Sequence, residues 1–194
     1  EENSCMPQTA RCIQAPAPES LKDCSLFLDT YRMEALRPMF SMVKAALPYC
    51  QWTDGEQRLR RILTSREVPH KEELVFAIAY FLCEPANFKL LFSSFSVPLQ
   101  QVWRLVIEHY LVGRDLMERE TGIGWIAERS YFSSEIKLPD SLSFFRVHND
   151  MNGTQYLYLP AKLRFYLVPY FIPDQGRRPH FNALPSADSL HLFN

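Results

Sequence analysis

The chain has 194 residues, of which 47% are hydrophobic and 22% charged, and its formal net charge is −1. This is the composition of a folded protein with a sizeable core; it excludes a disordered chain and one drawn to phosphate by its overall field. Six glycines against 14 prolines argue against an all-β fold dense in tight turns and against glycine-rich phosphate loops, so the prolines should punctuate helices.

Residues 1–19 hold Pro7, Pro16 and Pro18 and few large apolar side chains, and are expected to form an extended arm. A first helix should begin near Ser20, with Leu21, Cys24, Leu28 and Tyr31 at helical spacing. The segment Met33–Leu47 repeats that spacing; Pro38 inside it must kink a helix or mark its true first turn. After a turn at Trp52–Gly55, Asp54 is placed to cap a helix running to Thr64, with Leu59, Ile62 and Leu63 inward and Arg58 and Arg61 outward. The run Lys71–Cys83 is apolar nearly all round, which predicts a central core helix containing Phe81. A short helix from Pro85 follows.

Ser96-Val97-Pro98 opens a helix over 97–111. Leu99, Val102, Trp103, Val106, Ile107 and Tyr110 mark its buried face, and Gln100, Gln101, Arg104 and Glu108 lie opposite, with Gly113 as the stop. Asp115–Thr121 reads as a short helix closed by Gly122. Beyond Gly124 the pattern becomes extended. Leu142–Leu159 reads as a hairpin turning at Asn152-Gly153, which requires Gly153 at positive φ. Pro160 and Pro169 then bracket a helix over Ala161–Val168.

These elements predict a mainly α fold with a small antiparallel β element, of the α+β class: a helical bundle, then a helix–helix–hairpin–helix portion. The expected divisions are an arm over 1–19, a bundle over 20–122, an α+β portion over 123–172 sharing its core, and a Pro-rich tail over 173–194. The order of elements between Ser96 and Pro169 resembles a winged-helix module, and such modules bind nucleic acid or proteins. The resemblance covers roughly a third of the chain, carries no diagnostic motif, and identifies no particular family.

No metal-ligand spacing, phosphate loop or nucleophile elbow is present. His109 neighbours Glu108, but adjacent helical residues point about 100° apart and cannot act as a pair. Asp150-x-Asn152-Gly153 lacks the further acidic ligands of a calcium loop and is explained by the hairpin turn. No catalytic residue, metal ligand or cofactor is therefore assigned. Five cysteines, none in a CxxC pair, suit a reducing compartment and a cytoplasmic location, with a Cys5–Cys12 disulfide the one oxidised alternative. No apolar run approaches the ~18 residues of a membrane span.

Two basic patches stand out, Arg58–Lys71 and Lys162–Arg178. If the winged-helix order served nucleic acid, the helix over 97–111 would be its recognition helix. The contacts would then be Gln100, Gln101 and Arg104, with Arg58, Arg61, Lys162, Arg164, Arg177 and Arg178 on the phosphates. Against this, the hairpin tip carries Asp150 and no cation. The expected function is therefore a non-enzymatic protein-interaction or regulatory module, part of a larger protein or assembly. Its contact aromatics would come from Tyr131, Phe132, Tyr156, Tyr158, Tyr166 and Tyr170. Nucleic-acid binding stands second, and an enzyme whose site is assembled from distant residues third.

Overall fold

The computed structural model describes residues 11–127 and 136–172. The expectations on Cys5, Tyr131, Phe132, Arg177, Arg178 and the tail over 173–194 lie outside them. The fold is mainly helical, with a small antiparallel three-stranded sheet, an α+β arrangement.

The chain enters as a strand β1 (Arg11–Cys12), which pairs in parallel with β2 (Cys50–Gln51). Ile13 is buried behind it. The fully buried Asn87 carboxamide accepts from the Gln14 N–H (2.8 Å) and donates to the carbonyls of Gln14 (2.7 Å) and Tyr80 (3.0 Å). A buried amide with all these groups satisfied is a strong clamp on the entry segment.

Helix α1 (Pro18–Leu28) starts at the proline itself, two residues before the expected Ser20, because proline's fixed φ suits a first helical position. Helix α2 (Met33–Ala45) runs through Pro38. The missing N–H there leaves one carbonyl unpaired, four residues back at the exposed Glu34, where water can reach it. Helix α3 (Gln57–Thr64) is not capped by Asp54. Instead Glu56, almost fully buried, turns back and accepts from the Thr53 N–H (3.0 Å) and hydroxyl (2.8 Å), which closes the turn before the helix.

Helix α4 (Lys71–Leu82) is the core helix that its composition predicts: Leu74, Val75 and every residue from Ala77 to Leu82 are buried. Glu73 reaches back to the His70 N–H (3.0 Å), which fixes its first turn. Helix α5 (Pro85–Ser94) meets α4 at a bend of 99°. Among the described residues no single helix is long and apolar enough to cross a membrane.

Helix α6 (Val97–His109) places Trp103 at the centre of an aromatic cluster. Its ring lies 4.7 Å from Phe145, 5.4 Å from Phe88 and 5.5 Å from Phe144. Trp103 and Phe81 are both fully buried, as their helical faces require. The helix stops at His109 and not at Gly113. Tyr110 takes φ 64°, turns outward and is half-exposed, so it leaves the buried face assigned to it.

Strand β3 (Leu111–Gly113) and helix α7 (Arg114–Thr121) follow, with Gly122 at φ 71° as the left-handed cap. A short ladder joins β4 (Ile126–Ala127) to β5 (Ile136–Lys137). A 3₁₀ turn at Asp140–Leu142 leads into the hairpin of β6 (Arg146–Asn149) and β7 (Gln155–Tyr158). The hairpin is therefore shorter than Leu142–Leu159. The sheet order is β3-β7-β6, so β3 completes it from before the hairpin. The register pairs Asn149 with Gln155, and the Asp150 N–H donates to Thr154 O (2.9 Å). That leaves a three-residue loop, Met151-Asn152-Gly153, with Gly153 at φ 78° as required.

Helix α8 (Ala161–Phe171) closes the described fold and continues through Pro169, one turn past its predicted end. Only the carbonyl of the exposed Phe165 loses a partner. In return Tyr170 and Phe171 pack on Phe88 (5.0 and 5.8 Å) and Phe92 (5.7 and 5.2 Å).

Candidate interaction surfaces

The two basic patches differ in kind. On α3 the inward positions are taken by Leu59, Ile62 and Leu63, which turns Arg58, Arg60 and Arg61 to solvent. The Arg58 guanidinium lies 4.1 Å from the centre of the Phe76 ring. The side chains of Arg60, Arg61 and Arg66 make no ion pair or hydrogen bond with the described residues. Lys71, at the end of this patch, pairs with Asp29 (3.1 Å).

The second patch is committed to the fold. Lys162 donates to Asp23 Oδ1 (3.0 Å). The Tyr166 hydroxyl donates to Asp23 Oδ2 (2.6 Å), and these two bonds, Tyr166 first, hold the Asp23 carboxyl below its ordinary range. Arg164 reaches from α8 to the end of α6: Nη1 donates to Val106 O (2.9 Å) and Nη2 to Ile107 O. Its guanidinium also lies 4.9 Å from the Tyr110 ring. Burial lowers the Arg164 pKa from its ordinary value, with Tyr110 opposing. Arg164 thus closes the C-terminus of α6 and is not a free phosphate contact.

Gln100 is likewise withdrawn from the surface. Its Nε2 donates to Phe92 O (3.0 Å) and Phe95 O (3.3 Å), at the C-terminus of α5. Gln101 and Arg104 are exposed on α6, with the Arg104 guanidinium 5.4 Å from the Phe92 ring. The element immediately before the hairpin is the 3₁₀ turn at Asp140–Leu142, with β3, α7, β4 and β5 between it and α6. At the hairpin tip Asp150 Oδ1 accepts from the N–H groups of Asn152 (2.9 Å) and Thr154 (2.7 Å), which accounts for that acid as a turn residue.

None of the described candidate aromatics is exposed. Tyr170 belongs to the aromatic cluster and Tyr166 to Asp23. The Tyr156 ring lies over Gly113, opposite it in the register, and Tyr158 faces Leu111 and Arg146. Arg146 is itself spoken for: its guanidinium lies 4.5 Å from the Tyr31 ring, and Nη2 donates to Thr30 Oγ1 (3.2 Å). Among the described residues the exposed aromatics are Tyr49, Tyr110 and Phe165; the sequence pattern places Tyr110 on a buried face and singles out neither of the others. For Phe165 the signal was present. Leu163 and Leu167 define the inner face of α8, and Phe165 lies about 200° from Leu163 at 100° per residue. The exposed positions of α8 are then Ala161, Lys162, Phe165 and Pro169, with Ile172 just past the helix end.

The grooves among the described residues include two that open to solvent. One, of about 310 Å³, runs between α2 and the α5–α6 junction, and its wall carries Ser41, Ser94, Ser96 and Asp140. Three of its hydroxyls serve their own helices: Ser41 donates to Arg37 O (3.1 Å), Ser94 to Leu91 O (2.6 Å), and Ser96 accepts from Leu99 N–H (3.4 Å). The other, of about 260 Å³, lies between Arg61 and the loop Glu67–His70. Neither wall presents a nucleophile hydrogen-bonded to a base. Among the described residues no group of three His, Cys, Asp or Glu side chains is placed to hold a metal ion.

Comparison with known proteins gives no match to a family model, to a curated protein or to a solved structure.

Proposed function

We propose that the protein is a non-enzymatic interaction module that docks a partner protein on the outward face of α8. The observation that carries this reading is the pattern of that helix. Its charged residues are Lys162 and Arg164 alone, and helices apolar on nearly every side are ordinarily enclosed. Here Leu163 and Leu167 are buried, while Phe165 is 64% and Ile172 60% exposed, in line with Ala161 and Pro169. Anchors at this spacing suit insertion into an apolar groove of another protein. The face spans about 16 Å at 1.5 Å per residue, too small for a stable dimer of its own, so the partner must supply the groove.

A regulatory role through this partner follows the same reading. The engagement of Gln100, Lys162 and Arg164 inside the fold weighs against the nucleic-acid alternative. The test compares tagged wild-type protein with Phe165→Asp in quantitative affinity capture, with a gel shift on duplex DNA in parallel. The expected result is a stoichiometric partner that Phe165→Asp loses at unchanged unfolding midpoint. Capture that ignores Phe165→Asp, or self-association by sedimentation that Phe165→Asp abolishes, refutes the reading. So does salt-sensitive DNA binding lost in Arg58→Ala/Arg61→Ala.

A further inference from the structure

We infer that the outward face of α3 docks an acidic segment of a partner protein. On a chain of net charge −1, α3 gathers Arg58, Arg60 and Arg61 on one exposed arc, and Arg66 follows in the next loop. Glu56 is buried against Thr53. Glu67 and Glu73 line the groove beside Arg61 without pairing with it, and Glu73 is held by the His70 N–H. Arg60, Arg61 and Arg66 are left without an ionic partner among the described residues.

Arg58 is pre-positioned. Its guanidinium lies 4.1 Å from the centre of the Phe76 ring, a cation–π contact that restrains its position, and it makes no ion pair with the described residues. A restrained guanidinium loses less conformational freedom on pairing with a carboxylate than a free one.

Carboxylates fit this face better than phosphates. Eight residues of helix extend about 12 Å, the reach of a short peptide stretch. About four unpaired guanidiniums would neutralise about four phosphates, fewer than the six to ten of a well-held duplex. Val68, 79% exposed, adds an apolar contact beside Arg66 that a peptide side chain can meet and a phosphate backbone cannot. An acidic segment with interspersed apolar side chains satisfies all of these. The inference is separate from the α8 face and shares no residue with it.

The experiment is fluorescence anisotropy with a labelled peptide of alternating Glu and Leu, its Gln-for-Glu analogue, and a single-stranded oligonucleotide of equal charge. The Glu peptide should bind, the Gln analogue should not, and the oligonucleotide should bind more weakly. Arg60→Glu/Arg61→Glu should weaken the peptide roughly tenfold or more, since charge reversal replaces attraction with repulsion. Arg60→Gln/Arg61→Gln, a milder pair, should weaken it by a smaller factor, and Phe165→Asp should leave it unchanged. Equal binding of the Gln analogue, equal or tighter binding of the oligonucleotide, or affinity retained in both double variants overturns the inference. None of those outcomes touches partner capture through α8.

Discussion

Removing the Arg164 side chain separates a structural arginine from a binding one. In Arg164→Ala two charge-assisted bonds to the carbonyls of Val106 and Ile107 are lost, together with the stacking on Tyr110. Bonds of this kind contribute about 1.5–3 kcal/mol each, so the pair gives about 3–6 kcal/mol as an upper figure. Arg164 is half-buried and Tyr110 is exposed, so water can reach the abandoned carbonyls and screening reduces the gain by about half. Loss of the contact with the Tyr110 ring adds about 0.5 kcal/mol, so a net loss of about 2–3.5 kcal/mol is expected. In urea unfolding this is a midpoint shift of about 1 M at unchanged slope. Arg164→Lys keeps the charge but not the two-pronged geometry, and should lose about half as much. Arg61→Ala, on a side chain with no partner, should stay within about 0.5 kcal/mol of wild type. If Arg164→Ala unfolds at the wild-type midpoint, or Arg61→Ala costs as much, the assignment of Arg164 to the end of α6 is wrong.

Trp103→Ala should cost about 3–5 kcal/mol in the same assay. Trp103→Phe should cost well under half of that, because the buried Nε1–H has no hydrogen-bond partner to lose. Gly153→Val should cost about 1–3 kcal/mol, since a β-branched residue resists φ 78°, and chemical shifts should move only in the hairpin. Asp23 is held below its ordinary 3.8 by Tyr166 and then Lys162. Its stabilisation is therefore complete above the unfolded value and lost as pH falls through the lower folded one; Asp23→Asn should remove that part of the acid-side slope in urea midpoints measured across the titration. Iodoacetamide should modify Cys12, which is exposed, before Cys50 and Cys83, whose thiols burial pushes up to about 11 and about 12, and before the fully buried Cys24. Equal rates in mass-spectrometric labelling would refute that order.

The apolar periodicity located α2, α4 and α6 in the sequence because burial is what produces it. Leu36, Met39, Phe40 and Val43, or Val102, Trp103, Val106 and Ile107, recur every three to four residues on the side facing the core. The turn at Gly153 was legible for a local reason, positive φ, that no distant contact can override. What periodicity could not carry was the far end of each polar contact. Asn87 binds Gln14, 73 positions away, and Arg164 binds Ile107, 57 positions away, and nothing in the local pattern marks either partner. The sequence leaves open a lone hairpin or a three-stranded sheet, and the place of the third strand is unmarked for a similar reason. Leu111–Gly113 is too short to alternate visibly and becomes a strand only by pairing with Tyr156–Tyr158. Pro169 reads as a stop from its local cost alone, but the packing of Tyr170 and Phe171 beyond it carries the helix through.

The helix ends account for two of the polar side chains withdrawn from the surface. A helix exposes unpaired carbonyls at its C-terminus, and a glycine in the left-handed conformation is the usual way to satisfy them. Helix α7 has one in Gly122, whose N–H bonds Glu118 O (2.8 Å), and recruits no side chain for the purpose. Helices α5 and α6 end at Phe95 and Tyr110, without glycine, and each draws a multi-donor side chain from elsewhere: Gln100 for α5 and Arg164 for α6. Gln and Arg are also the side chains that read bases and phosphates, so a glycine-poor helical chain imitates a nucleic-acid surface in its sequence while spending those residues on its own helix ends. Helix α3 ends at Ser65, and its carbonyls call on no arginine from another helix. Its own arginines remain unspent, and it is there that a partner's carboxylates have guanidiniums to meet.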